Sequence, residues 1–338
     1  MTKKIGEFHE MKKVEFRQVM DFMSEGLVIL DDKKEVLSIN DAARSYFETE
    51  SKCVGVGFFE IDGSSKMTEA INGALKGRSN EFFVQKNGRE HRINVNGIES
   101  EGQIFGVVLL IFDVTEQAMF RRNRQEFTAN VSHELKTPLQ SIIGSAELLE
   151  NNLVKPEDVS RFVGHIKREA KRMVDLVNDT IKLSHLDEMT EISKEEFVLL
   201  ELASEVVDAL EGLATQKNVR LYLAGEEFYV STVKKYMYDI LFNLCENAIR
   251  YNVENGEVKI LIEPGKIVVK DTGIGIPKEH QERVFERFYR VDKSHSRETG
   301  GTGLGLAIVK NAVQYFSGQI NMSSVINQGT SVEITFEI

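Results

Sequence analysis

The sequence predicts a multidomain α+β protein: a small antiparallel sheet with helices, then an antiparallel helical hairpin, then a glycine-rich α/β domain. Three observations carry that prediction. Short apolar runs separated by turn residues fill the first third of the chain, residues 116–188 hold no strand-like run, and most glycine clusters lie beyond 194. At 338 residues, with about 100 to 200 per domain, there is room for two or three such bodies. A hydrophobic fraction of 41% with only 4 prolines is that of core-forming protein, not of a disordered tail. The formal charge of −11 argues against a surface that embraces DNA or RNA, so no direct nucleic-acid partner is expected. Two cysteines give no disulfide framework and fit reduced thiols in a cytoplasmic compartment. The most apolar run, Ile104 to Phe112, falls well short of the roughly 20 residues that a membrane helix needs. The start, MTKKIGEFHEMKK, lacks the apolar core of a secretory signal.

Taken in order, Ile5, Phe8, Val14, Val19 and Phe22 recur at helical spacing and predict an N-terminal helix over residues 1–22. GLVILDDKKEVLSIN gives two strands around an Asp31 to Lys34 turn, and a short helix follows over Asn40 to Phe47. Loops marked by Gly55, Gly57, Gly63, Gly73 and Gly77 lead to three strands at Glu81 to Gln85, His91 to Ile98 and Ile104 to Phe112. That order predicts one antiparallel sheet with helices on one side, over residues 23–115. Residues 116–190 then predict two helices of roughly 30 residues, each about 45 Å long, broken at Asn151 to Pro156. In the second, Val159, Phe162, Val163, Ile166, Ala170, Met173, Val174, Val177 and Ile181 form one apolar stripe. Two such helices cannot bury both stripes against each other, so two hairpins are expected to pair as a four-helix bundle and the protein to be a homodimer. Residues 194–338 alternate helical stretches with strands at Glu257 to Ile262, Lys266 to Lys270 and Thr330 to Glu337.

The chemistry starts on the first hairpin helix. At 100° per residue Phe127, Val131, Leu135, Ile142, Ala146 and Leu149 share a narrow arc, and His133 lies about 175° from its centre. Thr137 and Gln140 lie near the His133 direction, with Glu134 at its edge. An exposed imidazole beside a carboxylate is a nucleophile whose second ring nitrogen can be held or deprotonated. Pro138 removes the N–H that would bond the Glu134 carbonyl, so a kink or loosening is expected beside His133. Further on, YMYDILFNLCENAIRY is helical and places Asn243 and Asn247 on one face, with Arg250 and Tyr251 just beyond. Two amide oxygens suit a hard cation, and Arg250 adds a polyphosphate partner, although a lone N-x-x-x-N also fits an ordinary polar face. DTGIGIP puts Asp271 before a tight Gly273 and Gly275 turn and carries no phosphate-loop Lys. GGTGLGLAIV opens onto a helix, so the glycines near its N-terminus, Gly301, Gly303 and Gly305, can put backbone N–H groups against phosphates. It is not the dinucleotide pattern, which needs a different glycine spacing and a ribose-binding acid.

SHELKTPL, NLCENAIRY, DTGIGIP, FERFYRVD and GTGLGL, in that order across Glu116 to Ile338, resemble the sensor histidine kinases of two-component signalling. The first block resembles a PAS domain, with a DVTE exit at Asp113 to Glu116. The resemblance implies a phosphoacceptor hairpin followed by a Bergerat-type α/β sandwich of the histidine kinase, gyrase and chaperone class. It implies ATP-dependent autophosphorylation on His133, transfer to an aspartate of a response-regulator receiver domain, and dephosphorylation of that regulator. In that scheme Glu134 is base or orienter and Thr137 positions water. Asn247 holds Mg²⁺ with Asn243 beside it, Arg250 reaches phosphate, Tyr251 packs near the nucleoside, and Asp271 accepts from the adenine amino group. Gly273, Gly275, Gly301, Gly303 and Gly305 shape the pocket and its lid, with Thr302 and Leu304 in the same loop.

A PAS block directly before the hairpin resembles the phosphate-starvation and cell-wall-stress sensors. Such kinases usually carry transmembrane helices upstream, so this chain is expected to be the cytoplasmic portion of a membrane sensor, with a cytosolic PAS kinase as the alternative. The competing class is the ATP-hydrolysing switch of the gyrase and chaperone type, which needs a Glu four residues before the metal-binding Asn. Here Asn243 stands there, and Glu246 points elsewhere on the helix. DTG replaces the commoner DNG, and Asn252 follows Tyr251 where a hydroxyl residue is frequent; neither removes a catalytic group. His165 and His185 are expected at a surface or interface, and His295 is a candidate nucleotide contact. His91 is kept as a candidate haem ligand in a block that otherwise fits a relay module. Cys53 and Cys245 have no metal-ligand spacing.

Overall fold

A computed structural model of the chain describes residues 20–49, 53–187, 193–291 and 301–337. Most of the expected N-terminal helix, and His295, lie outside the described residues. The chain forms two compact units, Met1–Gln125 and Glu126–Ile338.

In the first unit, strands β1 (Gly26–Asp31) and β2 (Val36–Ile39) precede helices α1 (Asp41–Phe47) and α2 (Ser65–Ala74). Strands β3 (Asn80–Lys86), β4 (Arg89–Ser100) and β5 (Gln103–Asp113) follow, and the sheet runs β2-β1-β5-β4-β3, antiparallel throughout. The expected antiparallel sheet is therefore present. Period-2 alternation explains its core: Ile93 and Val95 of β4 and Val107, Leu109 and Ile111 of β5 meet Ala43, Phe47, Met67 and Ile71 of the helices. Asn40 fixes the start of α1. Its Oδ1 accepts from Ala43 N at 3.0 Å and Leu27 N at 2.8 Å, and its amide nitrogen donates to the carbonyls of Met20 and Glu25. The last strand hands over to a helix through its own side chains. Asp113 Oδ1 accepts from Thr115 N at 3.0 Å, Thr115 Oγ1 accepts from Glu90 N at 2.9 Å, and Arg122 pairs with Glu90 at 2.6 Å.

That helix, α3 (Thr115–Glu150), enters the second unit, where α4 (Val159–Asp187) returns after a 3₁₀ turn with Pro156 in its first position. Helix α3 is unbroken through Pro138, which is buried; losing one bond at Glu134 does not end it. Helix α4 carries two apolar faces where the sequence showed one stripe. Leu176, Leu183 and Leu186 are buried in the core that they share with the α/β domain. About 180° away at 100° per residue, Val163, Val174, Val177 and Ile181 are each exposed.

The α/β domain contributes β6 (Glu195–Val198), α5 (Leu199–Gln216), β7 (Arg220–Gly225), β8 (Tyr229–Thr232) and α6 (Lys234–Arg250). It continues with β9 (Glu257–Glu263), β10 (Lys266–Asp271), α7 (Gly305–Tyr315), β11 (Gln319–Val325) and β12 (Gly329–Thr335). Its main sheet runs β11-β12-β10-β9-β7, with β7 and β9 parallel and the other pairs antiparallel. Leu202 and Val206 of α5, Ile240 and Leu244 of α6, and Ile308 and Val309 of α7 cover Val258, Ile260 and Ile262 of β9. Cys245 is buried inside this core, which pushes its thiol up to about 12, and Cys53 is buried in the first unit. Among the described residues no helix is long and apolar enough to cross a membrane.

Candidate active site

His133 stands exposed on α3, away from the core, as the wheel predicts. Thr137, one turn later, is also exposed and donates its hydroxyl to the His133 carbonyl at 3.2 Å. Glu134 turns toward the neighbouring helix, where its carboxylate accepts from Arg172 of α4 at 3.3 Å.

The glycine-rich side is built on α6. Asn243 is half-buried, and its amide nitrogen donates to the Asp239 carbonyl at 2.7 Å. Its Oδ1 then faces the glycine loop so closely that a Cβ on Gly305 would lie 2.6 Å from it. Asn247 is half-buried one turn along the same helix. Arg250 pairs with Glu246 at 2.8 Å, so the carboxylate beside Asn247 is tied to a guanidinium. Tyr251 ends the helix, half-open to solvent, with its carbonyl against Gly273.

Asp271 closes β10. Its Oδ1 accepts from Gly273 N at 2.7 Å and Thr330 N at 3.1 Å, which leaves Oδ2 to meet a donor. Burial raises its pKa above the ordinary aspartate value despite those two bonds. Gly275 is required twice over: its φ is +70°, and a Cβ would strike the Val325 carbonyl. Asn252 proves to be a bracket. Its amide nitrogen donates to the carbonyls of Ala248 and Glu257, and its oxygen accepts from Thr272 Oγ1 at 3.1 Å.

In the loop before α7, Gly303 has φ +74°, and Gly301 lies beside Arg290 and the Tyr251 hydroxyl. Leu304 is buried in the core. Thr302 points at the hairpin, donating to Asp179 of α4 at 2.8 Å while accepting from Leu304 N at 3.2 Å. The structure thus groups Asn243 with Gly305, Asp271 with Gly273, and Tyr251 with Gly273 and Gly301. No hydrogen bond or ion pair among the described residues joins His133 to Asn243, Asn247 or Asp271.

Several contacts on this unit carry no motif. Lys182 pairs with Asp239 at 2.6 Å, Asp187 accepts from Arg287 at 2.6 Å and Asn311 at 3.1 Å, and the Phe127 and Phe288 rings lie 5.8 Å apart. They dock the α/β domain on the hairpin; Phe127, Asp239, Arg287 and Phe288 lay inside stretches the sequence had marked, whereas Lys182, Asp187 and Asn311 did not. His165 accepts or donates at 2.8 Å with Ser141, joining α3 to α4, and His185 is exposed. His91 lies edge-on to Tyr46 at 4.8 Å. No group of three or more His, Cys, Asp or Glu side chains that could hold a metal ion occurs among the described residues.

Comparison with known proteins follows the same division. Residues 232–338 match the histidine kinase-, DNA gyrase B- and HSP90-like ATPase family, and residues 123–188 match the His Kinase A phospho-acceptor domain. The chain is 32% identical over 338 residues to a sensor protein kinase WalK of Staphylococcus aureus, covering 96% of this chain and 81% of that protein. It is 38% identical over 255 residues to the sensor histidine kinase WalK of Bacillus subtilis, covering 72% of this chain and 42% of that one. The chain spans about half the length of several curated relatives, 55% of the WalK of S. aureus strain Newman for example. Its fold is similar to that of histidine kinase ThkA, solved in complex with response regulator protein TrrA, with a TM-score of 0.52 at 22% identity over 92% of this chain and 95% of that one. With a third of its residues shared along nearly its whole length with one such kinase, and both characteristic domains in order, the chain belongs to the sensor histidine kinase family.

Proposed function

We propose that the protein is an ATP-dependent protein-histidine kinase that phosphorylates itself on His133 and passes the phosphoryl group to an aspartate of a response-regulator receiver domain. One observation carries the reading: His133 is held out of the core on a helical hairpin that shares a compact unit with the domain carrying Asn243, Asp271 and the glycine loops. In the step itself, one imidazole nitrogen forms a bond to the γ-phosphorus of ATP, the bond to the bridging oxygen breaks, and ADP leaves. The proton on the other ring nitrogen passes to Glu134. Asp271 Oδ2 accepts from the adenine amino group, Tyr251 packs near the nucleoside, and the N–H groups around Gly301, Gly303 and Gly305 face the phosphates.

Mg²⁺ fits the donor set, because Asn243 presents its amide oxygen to the glycine loop and Asn247 follows one turn on; bound there, the ion supplies charge neutralisation at the phosphates. Arg250, paired with Glu246 here, reaches phosphate by exchanging that partner. Thr137, exposed beside His133, positions water for dephosphorylation of the regulator. We read residues 23–115 as a PAS-like relay, 116–190 as the dimerising phosphotransfer hairpin and 194–338 as the ATP-binding domain. The partner is the receiver domain of a response regulator, a reading supported by the complex of ThkA with response regulator protein TrrA, and the assembly is a homodimer. The likeness to WalK supports a cytoplasmic segment of a membrane-bound, cell-wall-stress type sensor.

Incubation with γ-labelled ATP and Mg²⁺ tests this. The protein should acquire label that survives base and is lost in acid, as a phosphoramidate does. His133→Gln should abolish it while nucleotide still binds. Glu134→Ala should slow it by about 10²- to 10⁴-fold, the usual range for a lost general base. Thr137→Ala should retain labelling and lose regulator dephosphorylation. Steady phosphate release without any labelled protein would establish the ATP-hydrolysing switch instead.

A further inference from the structure

Glu134 has two demands to meet beside His133. It must accept a proton, which requires the charged form in a fixed orientation, yet its negative charge repels an incoming phosphoryl group. As a half-buried glutamate at a helix surface it has several rotamers open to it, and holding one costs entropy unless a partner fixes it. The partner is present. Arg172 approaches from α4 and donates its Nη2 to Glu134 Oε2 at 3.3 Å, with its own side chain only 20% exposed. A guanidinium is always charged and loses less freedom per bond than an ammonium does. Among the described residues, this ion pair joins the two helices of the hairpin at the residue next to His133.

A second observation places the pair in the path of the chemistry. Arg290, from the segment that precedes the glycine loop, lies close enough to interact electrostatically with both Glu134 and Arg172, and it bonds Tyr251. Burial lowers its pKa first of all, and the Arg172 charge adds to that. Arg290 also lies beside Gly301. The Glu134 carboxylate is thus bonded by one guanidinium, Arg172, and within electrostatic reach of a second, Arg290, which borders the loop assigned to the phosphates.

We infer that Arg172 is a positioning residue for phosphoryl transfer to His133, acting through Glu134: it fixes the carboxylate in one orientation and offsets its repulsion of the phosphoryl group. This rests on the kinase reading above and names a residue that no motif marks. The bond that Arg172 makes goes to Glu134 and not to His133, so its removal should alter the labelling rate and leave the apparent KM for ATP in place.

The experiment is a double-mutant cycle on the full chain, read as the rate of acid-labile labelling. Arg172→Ala should slow labelling by about 10- to 100-fold, less than the roughly 10²- to 10⁴-fold that base assistance as a whole supplies, because Glu134 is still present. Arg172→Gln, which keeps most of the packed stem, should slow it equally and guards against a variant that merely fails to fold. Arg172→Lys should recover most of the rate. In a Glu134→Gln background, Arg172→Ala should cost less than about two-fold more, because its route of action is already gone. Wild-type labelling in Arg172→Gln, or the full loss repeated in the Glu134→Gln background, would overturn the inference and leave the kinase reading intact. An unlabelled wild-type protein would overturn both.

Discussion

Asp271 carries opposing demands on a single carboxyl group. Two backbone N–H groups favour its charged form, yet burial outweighs them and its pKa is raised. An acid with a raised folded pKa binds its proton more tightly folded than unfolded. Its contribution to stability is therefore fullest below the unfolded pKa and is lost as pH rises through the folded value. At neutral pH the charge is a cost. Asp271→Asn keeps an Oδ1 acceptor for Gly273 and Thr330 but turns a donor toward the adenine amino group. The variant should melt higher than wild type at pH 7, with the gap closing as pH falls into the carboxylate range, while binding of an ATP analogue weakens roughly 10- to 100-fold. Thermal melts against pH and calorimetric titration check the two halves; undiminished affinity would remove the adenine role. At this scale the motifs made the pocket residues legible, because DTGIGIP and GTGLGL fix backbone geometry locally. Arg172 and Asp179 were not legible, since their partners lie far along the chain at Glu134 and Thr302.

Helix α4 shows where periodicity stops. A stripe of Val159, Val163, Val174, Val177 and Ile181 dominates the wheel, and each of these residues is exposed in the single chain. Leu176, Leu183 and Leu186 form a second face that the sequence disguised by setting Asp179, Lys182 and Asp187 among them. Those polar residues are not a solvated flank; each bonds the α/β domain. A helix with one face committed to its own chain and the opposite face bare needs a partner for the latter. Val177→Glu should therefore yield a monomer by sedimentation equilibrium at micromolar protein, with nucleotide affinity unchanged because the Leu face is untouched. A persistent dimer would show that another surface holds the copies together. Within the hairpin, the break at Asn151 to Pro156 and the helical character were legible because Pro156 marks a helix start. In the α/β domain β9, β10 and β12 were foreseen, while β6, β7, β8 and β11 were not, since polar residues alternate through them.

Across the whole molecule, the five motifs gave the order of the functional parts, and alternation in β4 and β5 gave the first sheet. What they could not give is how tightly the hairpin joins the α/β domain, because that junction depends on ion pairs such as Lys182 with Asp239, which leave no periodic trace. Each compact unit happens to hold one cysteine, Cys53 at 6% exposure and Cys245 at 1%. Only a thiolate in contact with solvent reacts. Modification by a thiol reagent therefore proceeds through opened forms of the protein, and each sulfur times the opening of its own surroundings without any engineered label. An ATP analogue that binds only the closed α/β domain suppresses that domain's opening by mass action, about a hundredfold at 100 times its Kd. Modification of Cys245 should slow accordingly as the analogue is added, while Cys53 keeps its pace; equal slowing of both would mean that the two clocks share one spring.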